Sequence, residues 1–253
     1  MHAHFPRFSL CALTLLAAAW APAHAATSTA TAAIAHFRYE LIDLNLSDGI
    51  TPSLTFTEQA WSNDTQGAGQ RQTLDEAGTT LLENVFGSAR GTLSDTTMVS
   101  AASLDHSVPL DNSYQSFKNE NFRTAAFTLS PHTLLIFTGV GTVSQERAGY
   151  FRQASSFIGM DGYMWGEPGG YTQQFRSEYR TQAGSTSMNL YGQLRTDERA
   201  GQGHLSLHTY AILAEPLTSP VPEPSTYGML LAGTFLVGAV ARRQRRAVAR
   251  QAA

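Results

Sequence analysis

Cysteine is almost absent from this 253-residue chain: Cys11 is the only one. It lies in the first 25 residues, so a domain built from the rest has no disulfide and depends on burial for its stability. The same absence leaves that domain without a cysteine nucleophile. Neither G-x-S-x-G nor H-E-x-x-H occurs, which removes two short signatures of hydrolytic chemistry. No internal repeat is visible, a feature that disfavours a solenoid or propeller. Positive charge is scarce between the ends. Residues 26–219 hold 11 Lys and Arg against 19 Asp and Glu, a net of −8, whereas the whole chain is −3. With no basic stripe to neutralise phosphates, no nucleic-acid partner is expected.

What is present at the two ends is an address. At the N-terminus, Arg7 is followed by an apolar run over 8–20 and by Ala23-His24-Ala25, an A-x-A cleavage pattern before Ala26. Residues 1–25 therefore read as a secretory signal peptide, with the export machinery and signal peptidase as partners. Cys11 lies at the start of that apolar run instead of after it, and no small-residue lipobox precedes it, so it is not read as a lipidation site.

At the C-terminus, Val221-Pro222-Glu223-Pro224 is followed by an uncharged stretch over 225–241 and then by Arg242, Arg243, Arg245 and Arg246. Pro222 and Pro224 fix φ and remove two amide donors, which keeps this segment extended. Ser225 or Thr226 can cap a helix over 225–241, and Glu223 lies near its positive end. Seventeen helical residues span roughly 25 Å against a hydrocarbon core of about 30 Å. Tyr227 and the long stems of Arg242 and Arg243 make up the difference by reaching the headgroups. The arginines hold residues 242–253 on the cytoplasmic side, which leaves the preceding chain outside.

These three tail parts, in this order, resemble a PEP-CTERM sorting signal, the C-terminus found on exported proteins of Gram-negative bacteria that make exopolysaccharide. The resemblance covers residues 221–246. It implies processing near Val221, Pro222, Glu223 and Pro224 by an integral-membrane exosortase, with Arg242, Arg243, Arg245 and Arg246 as the membrane stop. The chain is then the substrate of that enzyme, transiently anchored and afterwards passed to the cell envelope or extracellular matrix. An ordinary single-pass anchor is the alternative.

Between the ends, residues 26–214 suffice for one domain, joined to the span by a stalk over 215–224 with four prolines. His36-Phe37-Arg38-Tyr39-Glu40-Leu41, Asp43-Leu44-Asn45-Leu46 and Ser53-Leu54-Thr55-Phe56-Thr57 alternate polar and apolar residues, the period of a half-buried strand. Similar runs occur near 91–104, 122–129, 133–144, 150–157, 171–179, 185–194 and 204–213; only 75–85 suggests a helix. About ten strands without regular helices predict an all-β fold, an antiparallel β-sandwich of jelly-roll-like form. The stretches 36–53 and 129–137 also resemble domains on other PEP-CTERM proteins, a likeness that implies an exported β module and no particular chemistry.

Candidate sites in this domain are few. Asp43-x-Asn45-x-Ser47-Asp48-Gly49 carries oxygen ligands at alternating positions, as a calcium loop does, but its glycine is one place late and Leu54 stands at the twelfth position. A hairpin turn at Asp48-Gly49 accounts for the same residues. His204 and His208 share one face of a strand, with no acid expected nearby to complete a metal site, and Leu205 and Leu207 should turn inward. Gly139-x-Gly141 reads as strand glycine at a bend.

Tyr163, Trp165 and Tyr171, interleaved with glycines over 159–175, read as a long loop whose rings are candidate glycan contacts or close one end of the core. No catalytic residue, metal or cofactor is assigned. The leading expectation is a non-enzymatic envelope or extracellular-matrix protein, exopolysaccharide-associated. The alternatives are a secreted glycan-acting hydrolase and a permanently anchored envelope protein.

Overall fold

Polar–apolar alternation is carried through to burial almost residue by residue. On β8 (Thr133–Glu146) every second side chain from Thr133 to Gln145 is buried and the intervening ones are not, the signature of one face turned to a core. The computed structural model describes residues 27–106, 115–148, 150–165 and 171–217, with Thr234 alone beyond them. The expected leader (1–25), the span (225–241) apart from Thr234, the basic tail (242–253) and all but the first three stalk residues lie outside the described residues. The chain divides into two units, Met1–Pro216 and Leu217–Ala253, and the fold below is that of the first. Among the described residues no helix is long and apolar enough to cross a membrane.

The other strands are β1 (Thr27–Asp43), β2 (Leu54–Gly67), β3 (Gln70–Leu74), β4 (Gly78–Asn84), β5 (Gly87–Leu93), β6 (Met98–Asp105), β7 (Ser116–Leu129), β9 (Tyr150–Trp165), β10 (Tyr171–Thr181), β11 (Gly184–Arg195) and β12 (Gly201–Leu217). They form two six-stranded sheets, β11-β8-β1-β6-β5-β4 (sheet A) and β10-β9-β12-β7-β2-β3 (sheet B). The described pairings are antiparallel, so the domain is the expected β-sandwich, with twelve strands instead of about ten. β9 with β10, β8 with β11 and β7 with β12 pair in nested order. Successive pairs of that nest alternate between the sheets, the winding of a long hairpin rolled into a sandwich.

Several local expectations are corrected. Residues 75–85 are not helical: β4 pairs with β5 from Gly78↔Leu93 to Asn84↔Gly87. Asn84 Oδ1 closes that turn by accepting the amides of Phe86 and Gly87 at 2.9 and 3.2 Å. Asp48-Gly49 is not a hairpin turn, since β1 and β2 belong to different sheets. The chain bends there because side-chain oxygens accept amides two residues ahead: Asp43 Oδ1 from Asn45 at 2.8 Å and Asp48 Oδ1 from Ile50 at 2.7 Å. Gly49 lies at φ 71°, open to glycine without strain. The run 91–104 is two strands parted by a turn in which Ser94 N–H donates to Thr97 O at 2.8 Å. The described residues of the run 159–175 are not a long loop: 159–165 belong to β9 and 171–175 to β10, which pair antiparallel, while 166–170 lie outside the described residues; β12 extends to Leu217, into the expected stalk.

A bulge sets the face of β1. Its register with β8 shifts between Ala35 and Arg38, with His36 at φ 55°. Inward positions are therefore even before the bulge (Ala30, Ala32, Ile34) and resume at Phe37 after it. Gly141 is not at a bend: a Cβ there would sit 2.2 Å from Ile158 Cδ1, so its bare backbone makes room for a side chain of the opposite sheet.

The interior is divided. One apolar cluster contains Ile34, Leu93, Met98, Phe127, Phe137, Ile158 and Leu207; a second contains Ala89, Ala102, Leu104, Phe117, Ala211 and Leu213. Each fully buried Phe or Leu contributes about 1.5–3 kcal/mol relative to exposure. Between the clusters lies a polar layer. On β7 the inward order is Phe117, Asn119, Asn121, then Ala125 and Phe127; on β12 it is Leu207, Thr209, Ala211; on β6 it is Met98, Ser100, Ala102. Asn119 Nδ2 donates to Asn63 Oδ1 at 2.9 Å and Thr65 Oγ1 at 2.7 Å. Asn121 Nδ2 donates to Val99 O at 2.8 Å and Ser100 Oγ at 3.1 Å. Gly91 is what admits the amides, because a Cβ there would lie 2.0 Å from Asn63 Oδ1.

Candidate functional site: the outer face of sheet B

Inward burial of Ile158, Met160 and Met164 on β9 leaves Phe157, Gly159, Asp161, Tyr163 and Trp165 on the outer face. On β12 the inward residues Leu205 and Leu207 likewise leave His204 and His208 outward, as expected. Sheet order places β9 beside β12 and β12 beside β7, which brings these alternating sets into one stripe.

The rings then contact one another across strands. Tyr163 stacks on His204 with centroids 5.3 Å apart, and Trp165 stands perpendicular to Tyr163 at 5.2 Å. His208 stacks on Phe122 at 4.0 Å and packs against Phe157 at 5.0 Å. Such contacts stabilise by about 0.5–1.5 kcal/mol beyond area burial. Trp165 is nevertheless 43 % exposed and Phe122 37 %. Tyr163 and Trp165 are thus on the strand surface and not at an end of the core. Tyr171 heads β10 and pairs with Trp165 in the register; its side chain is outside the described residues.

Acids do lie on this face, contrary to expectation. Glu120 on β7 has Oε1 at 3.1 Å from His208 Nε2 and Oε2 at 2.8 Å from Lys118 Nζ. The hydrogen bond from His208 holds the Glu120 carboxyl down to about 2; burial opposes this and Lys118 adds to it. Asp161 behaves oppositely. Burial pushes its carboxyl up and Glu178 reinforces that, against the pull of Arg176, His204 and His208. A depression of about 590 Å³ is lined by Asp161, Tyr163, Gln174 and Arg176, with Gly162 and Phe175. The face can stack on apolar ring surfaces and exchange hydrogen bonds along its rim. Among the described residues, no group of three His, Cys, Asp or Glu is placed to hold a metal ion.

The alternation of β9 and the pair His204, His208 signal this face in the sequence, whereas Phe122 and Glu120 carry no local mark of it. The cleavage-site residues Ala23, Ala25 and Ala26, the motif residues Val221, Pro222, Glu223 and Pro224, and the stop residues Arg242, Arg243, Arg245 and Arg246 all lie outside the described residues.

Comparison with known proteins bears on that terminal segment. No curated protein matches the chain. Among solved structures, the crystal structure of vicilin from Corylus avellana (hazelnut) aligns over 74 % of each chain at 7 % identity with a TM-score of 0.10, too low to bear on fold or function. A family model described as the PEP-CTERM protein-sorting motif matches residues 220–246, the segment that holds the Pro-Glu-Pro run, the apolar stretch and the four arginines. The protein is an exported PEP-CTERM domain-containing protein, sorted by exosortase.

Proposed function

We propose that the β-sandwich is the cargo of this sorting signal: a non-enzymatic envelope or extracellular-matrix module, associated with exopolysaccharide once it has left the inner membrane. The match at residues 220–246 carries this reading. Residues 225–241 hold the chain in the membrane while exosortase acts near Pro222-Glu223-Pro224, and the arginines behind it prevent further translocation. Outside, a domain without disulfides relies on its two apolar clusters, and the ring-bearing face of sheet B is its contact surface. Replacing Pro222, Glu223 and Pro224 together by alanine tests the sorting step: unprocessed chain should accumulate in the membrane fraction. Undiminished delivery to envelope and medium would refute it.

A glycan-acting hydrolase is the second reading, favoured by one observation: Asp161, with its carboxyl raised by burial, lines a depression open to solvent. Its partner acid on the same face would be Glu178 of the adjoining strand. Release of reducing sugar from envelope glycans, abolished by Asp161→Asn, would establish this reading in place of the first.

A further inference from the structure

We propose that the outer face of sheet B binds an uncharged polysaccharide chain lying along β9 and β12, with Trp165 and Tyr163 at one end of the track and Phe157, His208 and Phe122 at the other. This rests on the export reading above and adds the ligand class and the contact residues. Three features of the face carry it.

Rings are concentrated there. Five aromatic residues join the two histidines in two sets of ring contacts: Phe122, Phe157 and Tyr210 around His208, and Tyr163 with Trp165 and His204. On the opposite outer face, the register row Ser187, Thr142, Ala33, Val99 carries none.

The track is long and open. Eight residue steps from Phe157 to Trp165 extend about 26 Å at ~3.3 Å per residue, which suits a chain better than a single small molecule. Apolar sugar faces dock on rings whose edges remain wet, and hydroxyls take up side-chain donors and acceptors such as Asp161, Gln174 and Arg176 at the rim.

Charge on the face is balanced. Glu120 is paired with Lys118 and Arg176 with Glu178, Asp161 is opposite Arg176 in the register, and the Arg180 guanidinium lies 5.4 Å from the Phe157 ring centroid, so three cations meet three acids. A neutral polymer meets no net repulsion here, whereas a polyanion gains nothing from the face and is opposed by a domain of net charge −8.

Native electrophoresis of the full-length chain through gels containing hydroxyethyl cellulose, soluble β-1,3-glucan, galactomannan, dextran or alginate tests this directly. Because the purified chain is used, the outcome does not depend on whether sorting occurred. Retardation by at least one neutral polymer and none by alginate is expected. Trp165→Ala and Phe122→Ala should each weaken that binding about tenfold, equivalent to ~1.4 kcal/mol, with Trp165→Phe restoring most of it. Tyr191→Ala, an exposed aromatic of sheet A, should leave it unchanged. No retardation by any neutral polymer, retardation by alginate alone, or equal binding by Trp165→Ala and Phe122→Ala would overturn the proposal.

Discussion

Glu120 Oε1 lies 3.1 Å from His208 Nε2 although the two residues are 88 apart in the chain. Between them they tie β7 to β12 on the outer face, and Phe122 fixes the imidazole by stacking on it at 4.0 Å.

Acid should loosen this tie. The folded-state Glu120 carboxyl is held near 2, below its ordinary 4.5, so its stabilising contribution is full above about 4.5 and is lost as pH falls through that window toward 2. With solvent screening allowed for, about 1–2 kcal/mol is at stake. Urea denaturation at pH 7 and at pH 3 should show a smaller loss for Glu120→Gln than for the parent. Equal losses would mean that the pair contributes nothing.

Gly91→Ala should destabilise the fold by about 2–4 kcal/mol through overpacking and broken amide bonds. The added methyl must displace Asn63 and Asn119, whereas Gly139→Ala meets only ordinary contacts of 3.5 Å and beyond. Unfolding midpoints of the two variants should therefore differ clearly; similar midpoints would contradict the polar-layer account.

Arg123 should not be replaceable by lysine. Its guanidinium lies 4.4 Å from the Trp61 ring centroid and 5.9 Å from that of Phe37. Nη1 donates to Asp95 O, and Nη2 is 3.5 Å from Asp95 Oδ1. Burial lowers its pKa and Asp95 counters that. A planar cation suits this slot and a point charge does not. Thermal unfolding should show Arg123→Lys destabilised by about 1–2 kcal/mol.

Exchanging Arg242, Arg243, Arg245 and Arg246 for glutamine should impair retention or orientation of the span, because the positive-inside bias is carried by those residues. Protease accessibility of a C-terminal epitope in spheroplasts measures it: protected in the parent, cleaved or lost in the variant.

Much of the fold was legible because period-two alternation is a local signal: β8 and β12 follow it nearly without a break. The choice of sheet was not. Asp48-Gly49 has the composition of a hairpin turn, yet β1 pairs with β8 about a hundred residues away, Arg38 with Thr138, and no local pattern encodes that preference. The helix expected over 75–85 yields to pairing with β5, where Thr80 is buried and donates to Asn63 Oδ1 at 2.7 Å.

Glycines misled over 159–175. Gly162 is not there to turn the chain: a Cβ would lie 2.6 Å from the Phe175 ring, so the glycine makes space inside a strand. Tyr163 and Trp165 were visible as ring-bearing residues, but their strand placement and their neighbours His204 and Phe122 depend on sheet order. The terminal sorting motif, by contrast, was fully readable because its information is linear.

Mass spectrometry of the protein recovered from cells and medium tests the central claim, that this chain is exported and its tail processed. The account expects delivered protein to begin at Ala26 and to lack residues 227–253. Leader-bearing protein in the cytosol, or an intact C-terminus in every fraction, would contradict it.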